Sequence, residues 1–139
     1  MLTAGLSSTV SDLSILYRSL REDVSQKINS LQSRFPRFQP QLCIVQSGER
    51  PDSSTYVRMK AKAAEQVGIK FRHIQVPLES SAEQVVRVVQ ELNADNSVSG
   101  ILVQLPLGDH ITSAEERLVT EAVSPEKDVD GYVPHLSTT

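Results

Sequence analysis

Apolar residues recur along this chain at two spacings, and the spacing changes several times. Over residues 11–31, leucine, valine and isoleucine return every three or four positions, which is the period of an amphipathic helix. Residues 42–45 form a short, continuously apolar run, which indicates a strand covered on both faces of a sheet. We therefore expect a first helix over residues 11–31, ended by the phenylalanines and prolines of 35–40, and then a strand over 41–46.

A second helix and a second strand follow the first pair. Asp52 and Ser53 are both good N-cap residues, so either one is expected to begin the helix. Gly68 is expected to end the helix, because glycine readily takes the left-handed conformation found just beyond helix ends. The next apolar segment, residues 71–76, is predicted to be a strand that Pro77 stops.

The third helix and third strand carry clearer signals. Ser81 with Gln84 three residues later has the spacing of a capping box, in which the two residues satisfy each other's backbone N–H groups. Valines and a leucine over residues 85–92 then form one apolar stripe. Residues 100–105 predict a third buried strand, ended by Pro106.

A fourth helix is predicted over residues 113–123, with Ser113 and Glu116 as its capping box. Residues 124–139 are polar and rich in turn formers, which predicts a loop.

Strands that alternate with helices predict an α/β fold, a three-layer α-β-α arrangement around a mainly parallel sheet. The length of 139 residues suits one domain over residues 1–139. Ligands of such sheets bind outside the carboxyl ends of the strands, here at residues 46–48, 76–77 and 104–106.

The charge and composition of the chain argue against two classes of binding partner, nucleic acids and membranes, and indicate a redox compartment. The net charge is −3 with basic residues scattered among acids, so we expect no nucleic-acid partner. No apolar run approaches the roughly 20 residues that span a bilayer, so we expect no membrane partner. The single cysteine, Cys43, lies in an apolar run, which favours a reducing compartment and an unreactive thiol.

Tyr56 and Lys60 are the main candidates for chemistry. Their spacing of four stacks them on one face of the second helix, beside the packing face formed by Val57, Ala61 and Ala64. A lysine in a partly dry cleft loses basicity and can then act as an acid or base near neutral pH. A solvated helix surface is the commoner explanation of this spacing taken alone.

Gln104 and two aspartates are further candidates. A glutamine at the end of an apolar strand needs a hydrogen-bond partner if it is buried, and Lys60 is a possible partner. The alternative is an edge position open to water. Asp128 and Asp130 share one side of an extended segment, but too few acids surround them for a calcium loop, so we expect a ligand-binding or turn-forming role rather than a metal site.

The spacing of residues does not support a P-loop, a dinucleotide-binding site or a histidine metal site. The loop at Gly48 lacks the remaining residues of a P-loop, and the chain has no Gly-x-Gly-x-x-Gly fingerprint of dinucleotide binding. The histidines have neither metal-ligand spacing nor an evident nucleophile partner, so each is expected to be structural. They are His73, His110 and His135.

Three segments in order carry a resemblance to a known family. They are YVRMKAKAAEQVGI at residues 56–69, GILVQLPL at 100–107 and PEKDVDG at 125–131. Together they closely resemble the amino-terminal catalytic domain of the bifunctional methylenetetrahydrofolate dehydrogenase/cyclohydrolase family. The similarity covers residues 41–131, and the first helix matches more loosely.

The resemblance implies a folate site and assigns roles in it. It implies that Lys60 activates water and relays protons, that Tyr56 stacks against the folate, and that Gln104 holds and tunes Lys60. It implies that Asp130 accepts hydrogen bonds from the pterin edge, which fits because that edge presents donors and a carboxylate only accepts. It implies that two further residues line the cleft, Ser53 and Pro106.

Two reactions are implied, together with a tetrahydrofolate derivative as the small-molecule substrate. One oxidises 5,10-methylenetetrahydrofolate with NADP or NAD, which the family holds in a second, Rossmann-type domain. The other hydrolyses the methenyl form to 10-formyltetrahydrofolate.

The sequence departs from the family in two places. It has no counterpart of the second domain, and residues 6–10 replace the usual Asp/Asn-Gly-Lys opening. We therefore expect no dehydrogenase step from this chain alone, and hydrolysis at a half-open site. The alternative is a non-catalytic module that binds folate or a partner chain. The family habit of homodimers is expected to be weak here, since its contacts come largely from the second domain. A cytoplasmic location is expected, with a mitochondrial one as the alternative.

Overall fold

A computed structural model describes the backbone of residues 2–130 and the side chains of residues 15–130. Residues 131–139, which include His135 and the end of the predicted loop, lie outside that range. The helices are α1 (Leu2–Arg34), α2 (Pro51–Gln66), α3 (Ala82–Ala94), α4 (Ser113–Glu121) and a short 3-10 helix (Pro125–Lys127). The strands are β1 (Gln41–Ser47), β2 (Lys70–Val76) and β3 (Gly100–Gln104).

The chain divides into two compact units, of which the first contains residues up to 38 together with 66–68. Its helix α1 is longer at both ends than the predicted 11–31, because no proline occurs before residue 36 to break it. Within this unit Ile28 is buried, and its Cγ2 lies 3.4 Å from where a Cβ on Gly68 would lie. The predicted stripe residues Leu16, Leu20 and Val24 are exposed.

The second unit is built on a three-stranded sheet in the order β2-β1-β3. Both strand pairs are parallel, which confirms the predicted sheet. The strands β1 and β3 are almost entirely buried, as their continuous apolar runs predicted. In contrast, every residue of β2 is exposed or half-buried. Their carboxyl ends meet at one edge, where Gln46 pairs with both Gln75 and Gln104.

Helices cover both faces of the sheet and confirm the three-layer architecture. On one face, Cys43 and Val45 of β1 share a core with Val89 of α3 and Val119 of α4. On the other face, Ile44 packs in a second cluster against α2. Successive residues of β1 thus enter different cores because a strand alternates its side chains. Burial also raises the pKa of the Cys43 thiol, which agrees with an unreactive cysteine.

Helix α2 begins earlier than predicted. Its first residue is Pro51, whose fixed φ and missing N–H suit the first helical position. Asp52 therefore lies in the first turn, where Oδ1 accepts hydrogen bonds from Arg50 Nε at 2.7 Å and from the Ser53 N–H at 2.9 Å. The hydrogen bond from Arg50 is the main cause that lowers the pKa of Asp52.

Gly68 ends α2 in the predicted manner. Its φ is +92°, and the N–H of Ile69 donates to the Ala64 carbonyl at 2.9 Å. This six-to-one bond is the mark of a Schellman ending, in which a glycine with positive φ lets the chain turn back on the last carbonyls. The box of Ser81 and Gln84 at the start of α3 is likewise present.

The predicted capping box of α4 is wrong by one residue. The helix begins at Ser113, but Thr112 is the N-cap, and its box partner is Glu115. Glu116 instead uses Oε2 to accept a hydrogen bond from the Leu107 N–H at 2.8 Å. That backbone group lies in the loop after β3. Glu116 is therefore engaged in a tertiary contact, and the adjacent Glu115 completes the capping box.

Candidate active site

A lysine–amide pair lies at the carboxyl end of β3. Lys60 Nζ donates a hydrogen bond to Gln104 Oε1 over 3.1 Å. Helix α2 places Lys60 there because Val57, on the adjacent face, is buried against the sheet. Gln104 is the last residue of its strand and is buried, so the strand-edge position open to water does not hold. Its Nε2 also donates to the Leu105 carbonyl at 3.4 Å.

Tyr56 lies one helical turn before Lys60, and its side chain is 56% exposed. Among the described residues its hydroxyl has no hydrogen-bond partner. An exposed aromatic ring beside a polar pair presents a flat apolar surface and a free hydroxyl to whatever binds there. The stacking role implied for Tyr56 stays a prediction.

Asp130 enters the neighbourhood of Lys60 from a different part of the chain. Asp128 forms a parallel bridge with Ile101 of β3, so the segment runs in the direction of that strand. Loss of water at the Asp130 carboxyl raises its pKa, the charge of Lys60 lowers it, and Asp128 raises it further. The electrostatic effect of Lys60 on Asp130 indicates that the two charges lie near each other, although Asp130 is an exposed residue.

The two remaining candidates differ in access. Ser53 is buried in the first turn of α2, whereas Pro106 is exposed directly after β3 and follows a cis peptide bond. Their implied roles as cleft-lining residues stay predictions.

A polar network that the sequence did not suggest lies beside the pair. Gln46 is 1% exposed, and its Nε2 donates to Ser54 Oγ at 3.1 Å while its Oε1 accepts from His73 Nε2 at 2.9 Å. His110 donates from Nε2 to the Ser80 carbonyl at 2.9 Å. Both histidines therefore have hydrogen-bond partners within the fold, and their structural role stays a prediction. The signal for the network was a second glutamine near the end of an apolar strand.

This network borders a surface groove of about 510 Å³ between α2 and β2. Neither Lys60 nor Gln104 lines the groove, so it is separate from the lysine–amide pair. Its lining residues include Ser54, Arg58, Phe71, His73 and Gln75.

The described residues do not fit a dinucleotide cofactor. The turn after β1 contains one glycine, Gly48, with φ +70°. A Cβ at that position would lie 3.0 Å from Leu78 Cδ1, so a leucine side chain fills the space that a pyrophosphate needs in a glycine-rich turn. Within residues 2–130 no group of three or more histidine, cysteine or acidic residues is placed to hold a metal ion. No helix in this part of the chain combines the length and apolar character of a membrane span.

The fold and the pair define a class of protein. It is a parallel α/β protein that carries a lysine and an amide at the carboxyl edge of its sheet, the edge where sheets of this kind bind ligands.

Comparison with known proteins identifies the family. The family model for the tetrahydrofolate dehydrogenase/cyclohydrolase catalytic domain matches residues 12–130. The mitochondrial and cytoplasmic C-1-tetrahydrofolate synthases of Schizosaccharomyces pombe are 42% and 44% identical over 92% and 84% of this chain. The chain resembles the crystal structure of the bifunctional enzyme FolD, a methylenetetrahydrofolate dehydrogenase/cyclohydrolase of Campylobacter jejuni, with a TM-score of 0.79, 37% identity and 86% of the chain covered.

This chain therefore belongs to the tetrahydrofolate dehydrogenase/cyclohydrolase family and carries its catalytic domain. It spans 13% and 12% of the length of the two yeast relatives and 41% of the bacterial structure.

Proposed function

We propose that this chain binds a 5,10-bridged tetrahydrofolate at the carboxyl edge of its sheet and promotes hydrolysis of the methenyl form to 10-formyltetrahydrofolate. The observation that carries the proposal is the hydrogen bond between Lys60 and Gln104 at the end of β3. A lysine held in this way has a fixed position, which proton transfer to a bound substrate requires.

In the proposed step, the oxygen of water attacks the bridge carbon of methenyltetrahydrofolate. The bond from that carbon to N5 breaks, and the formyl group stays on N10. The Lys60 ammonium gives a proton to N5 as that bond breaks, and the resulting amine takes one proton back from the oxygen that came from water. The second water proton is released, because the methenyl substrate is a cation. Gln104 holds the lysine in line.

The proposed binding groups act away from the reacting carbon. Asp130 accepts hydrogen bonds from the amino-pyrimidine edge of the pterin, for which an acceptor-only carboxylate is suited. Tyr56 stacks on the ring system with its exposed face. Ser53 and Pro106 line the same cleft.

The dehydrogenase activity named for the relatives belongs, in this proposal, to a longer protein. NADP or NAD held there would supply the hydride acceptor for methylenetetrahydrofolate, and the residues of this chain would bind and orient the folate. The homodimer is likewise proposed only for the longer protein. The relatives include cytoplasmic and mitochondrial forms, and we propose a cytoplasmic location with a mitochondrial one as the alternative.

Loss of methenyltetrahydrofolate absorbance in the presence of the purified chain tests the proposal. We expect Lys60→Met to slow the decay by about 100-fold or more, since general acid–base catalysis contributes at least that much. Lys62→Met is the matched control, because Lys62 is an exposed lysine on the same helix. Decay at the buffer rate in the wild-type chain and in both variants would contradict hydrolysis by this chain.

Calorimetric titration with tetrahydrofolate separates the remaining possibilities. Tetrahydrofolate binding, together with catalysed decay of methenyltetrahydrofolate in the assay above, supports the enzyme. Binding without turnover supports the alternative of a non-catalytic folate-binding module, and no heat on titration excludes both.

A further inference from the structure

Lys127 fastens the segment that carries Asp130 to the end of α3. Its Nζ donates to the carbonyls of Leu92, Asn93 and Asp95 at 3.2, 2.8 and 2.8 Å. The last carbonyls of a helix have no partner inside the helix and form the negative end of its dipole. An ammonium group has three donors, so all three are used at this helix end.

Asn93 ties down the same segment from its other side. Its Nδ2 donates to the Ala122 carbonyl at 2.8 Å, and its Oδ1 accepts from the Ser124 N–H at 3.0 Å. The amide therefore holds the chain where it leaves α4, and Lys127 holds it three residues further on. Neither side chain belongs to the larger hydrophobic core, which is made of apolar residues.

Gly100 leaves the space that this segment occupies at the start of β3. A Cβ on Gly100 would lie 2.6 Å from Val129 Cγ1, which is closer than two carbon atoms approach. Valine branches at Cβ and has one side-chain torsion, so only a rotamer change or a backbone shift relieves such a clash.

The segment leads from these attachments to the proposed folate site. The parallel bridge between Asp128 and Ile101 carries the chain toward the carboxyl end of β3, where Gln104 lies. Asp130 lines a small cavity with Leu102 and Val103 of β3. The position of the Asp130 carboxylate is thus set by contacts made two and three residues earlier.

We propose that Lys127 is a positioning residue for folate binding, and that Gly100 is a second one, because together they fix the segment that presents Asp130 to the pterin. This inference rests on the proposed function. Neither residue touches the lysine–amide pair, so both act on substrate affinity rather than on proton transfer.

The first test measures KM and kcat for methenyltetrahydrofolate hydrolysis and the dissociation constant of tetrahydrofolate. We expect Lys127→Met to raise KM and the dissociation constant by about tenfold, since it removes charge-assisted hydrogen bonds that orient the segment, and to leave kcat unchanged. Lys70→Met is the matched control, because Lys70 is an exposed lysine at the start of β2.

A double-mutant cycle with Asp130→Asn separates positioning from a general loss of structure. We expect Lys127→Met to have no further effect on the dissociation constant once Asp130 is replaced, because it acts through that carboxylate. Additive effects of the two substitutions overturn the inference. So does a fall in kcat for Lys127→Met with KM unchanged.

Gly100→Ala gives a second test that does not depend on the stability of Lys127→Met. We expect it to raise the dissociation constant and Val129→Ala in the same chain to restore it, because that change removes the clashing Cγ1. Failure of the rescue, or unchanged affinity in Gly100→Ala, overturns the role of Gly100. If the wild-type chain binds no tetrahydrofolate, the proposed function itself fails, whereas wild-type binding that Asp130→Asn weakens and Lys127→Met does not refutes only this inference.

Discussion

Lys60 and Gln104 are 44 residues apart in sequence, yet the ammonium of one donates to the amide oxygen of the other over 3.1 Å. The contact joins a helix on one face of the sheet to the end of a strand, so it forms only when α2 packs on β3 in this register. Gln104 is buried and Lys60 half-buried, and among the described residues neither group hydrogen-bonds to any other side chain. The same hydrogen bond therefore depends on the packing of α2 against the sheet and holds the lysine proposed to transfer protons.

Replacement of Gln104 by methionine is the first prediction. The change keeps the length of the side chain and removes the acceptor, which leaves the lysine without its hydrogen bond. A hydrogen bond to a charged group contributes about 1.5–3 kcal/mol, so we expect methenyltetrahydrofolate hydrolysis to slow by about 10- to 100-fold. Gln90→Met, at an exposed position of α3, is the control and should hydrolyse at the wild-type rate. Equal rates for the two variants would exclude a role for Gln104.

The pH dependence of folate affinity is the second prediction. Burial raises the pKa of Asp130, so this group takes up a proton at a higher pH than an ordinary aspartate. The proposed hydrogen bonds need the ionised carboxylate. We therefore expect tetrahydrofolate affinity to be constant well above that raised pKa and to fall as the pH drops through it.

Asp130→Asn checks this assignment, because an amide does not titrate. In calorimetric titrations over a pH series, we expect Asp130→Asn to bind tetrahydrofolate weakly and with an affinity that does not change with pH. Glu121→Gln, an exposed control on α4, should still lose affinity at low pH. If Asp130→Asn still loses affinity at low pH, the titrating group is not Asp130.

The fold was largely predictable because its signals are local. The apolar runs of β1 and β3 show burial on both faces, and the box of Ser81 and Gln84 depends on residues three apart. Helix α1 begins before its predicted start because residues 2–10 contain no proline to interrupt it, and it continues to Arg34, directly before Phe35 and Pro36. The cap of α4 required knowledge of a tertiary contact at Leu107.

The site was predictable in part for the same reason. Helical spacing placed Tyr56 and Lys60 together, and the strand-end position of Gln104 made Lys60 a possible partner, but only the family resemblance connected them with Asp130. The contacts of Lys127 with the end of α3 were not predicted, because their partners lie 32 to 35 residues away and are backbone carbonyls, which every residue has. The sequence of side chains does not indicate which backbone carbonyl a lysine will contact.

A core substitution tests the packing of α3 against the sheet. Leu92 is 4% exposed in the larger core, so we expect Leu92→Ala to lower the free energy of unfolding by about 2–5 kcal/mol, through lost burial and the cavity left behind. Leu118→Ala is the matched control, because Leu118 is 62% exposed on α4 and its truncation should change stability by no more than about 0.5 kcal/mol. Urea unfolding followed by circular dichroism measures both, and similar midpoints for the two variants would contradict this placement of Leu92.

The start of α4 gives a prediction that separates two adjacent hydroxyl residues. Thr112 accepts the Glu115 N–H at 3.1 Å, whereas Ser113 is the first helical residue. We expect Thr112→Ala to lower the free energy of unfolding by about 1 kcal/mol, the usual value of an N-cap side chain, and Ser113→Ala to cost less, because alanine is a better helix former. Urea titrations of the two variants measure the difference. A larger loss in Ser113→Ala than in Thr112→Ala would contradict Thr112 as the N-cap and would support the Ser113 cap that the sequence predicted.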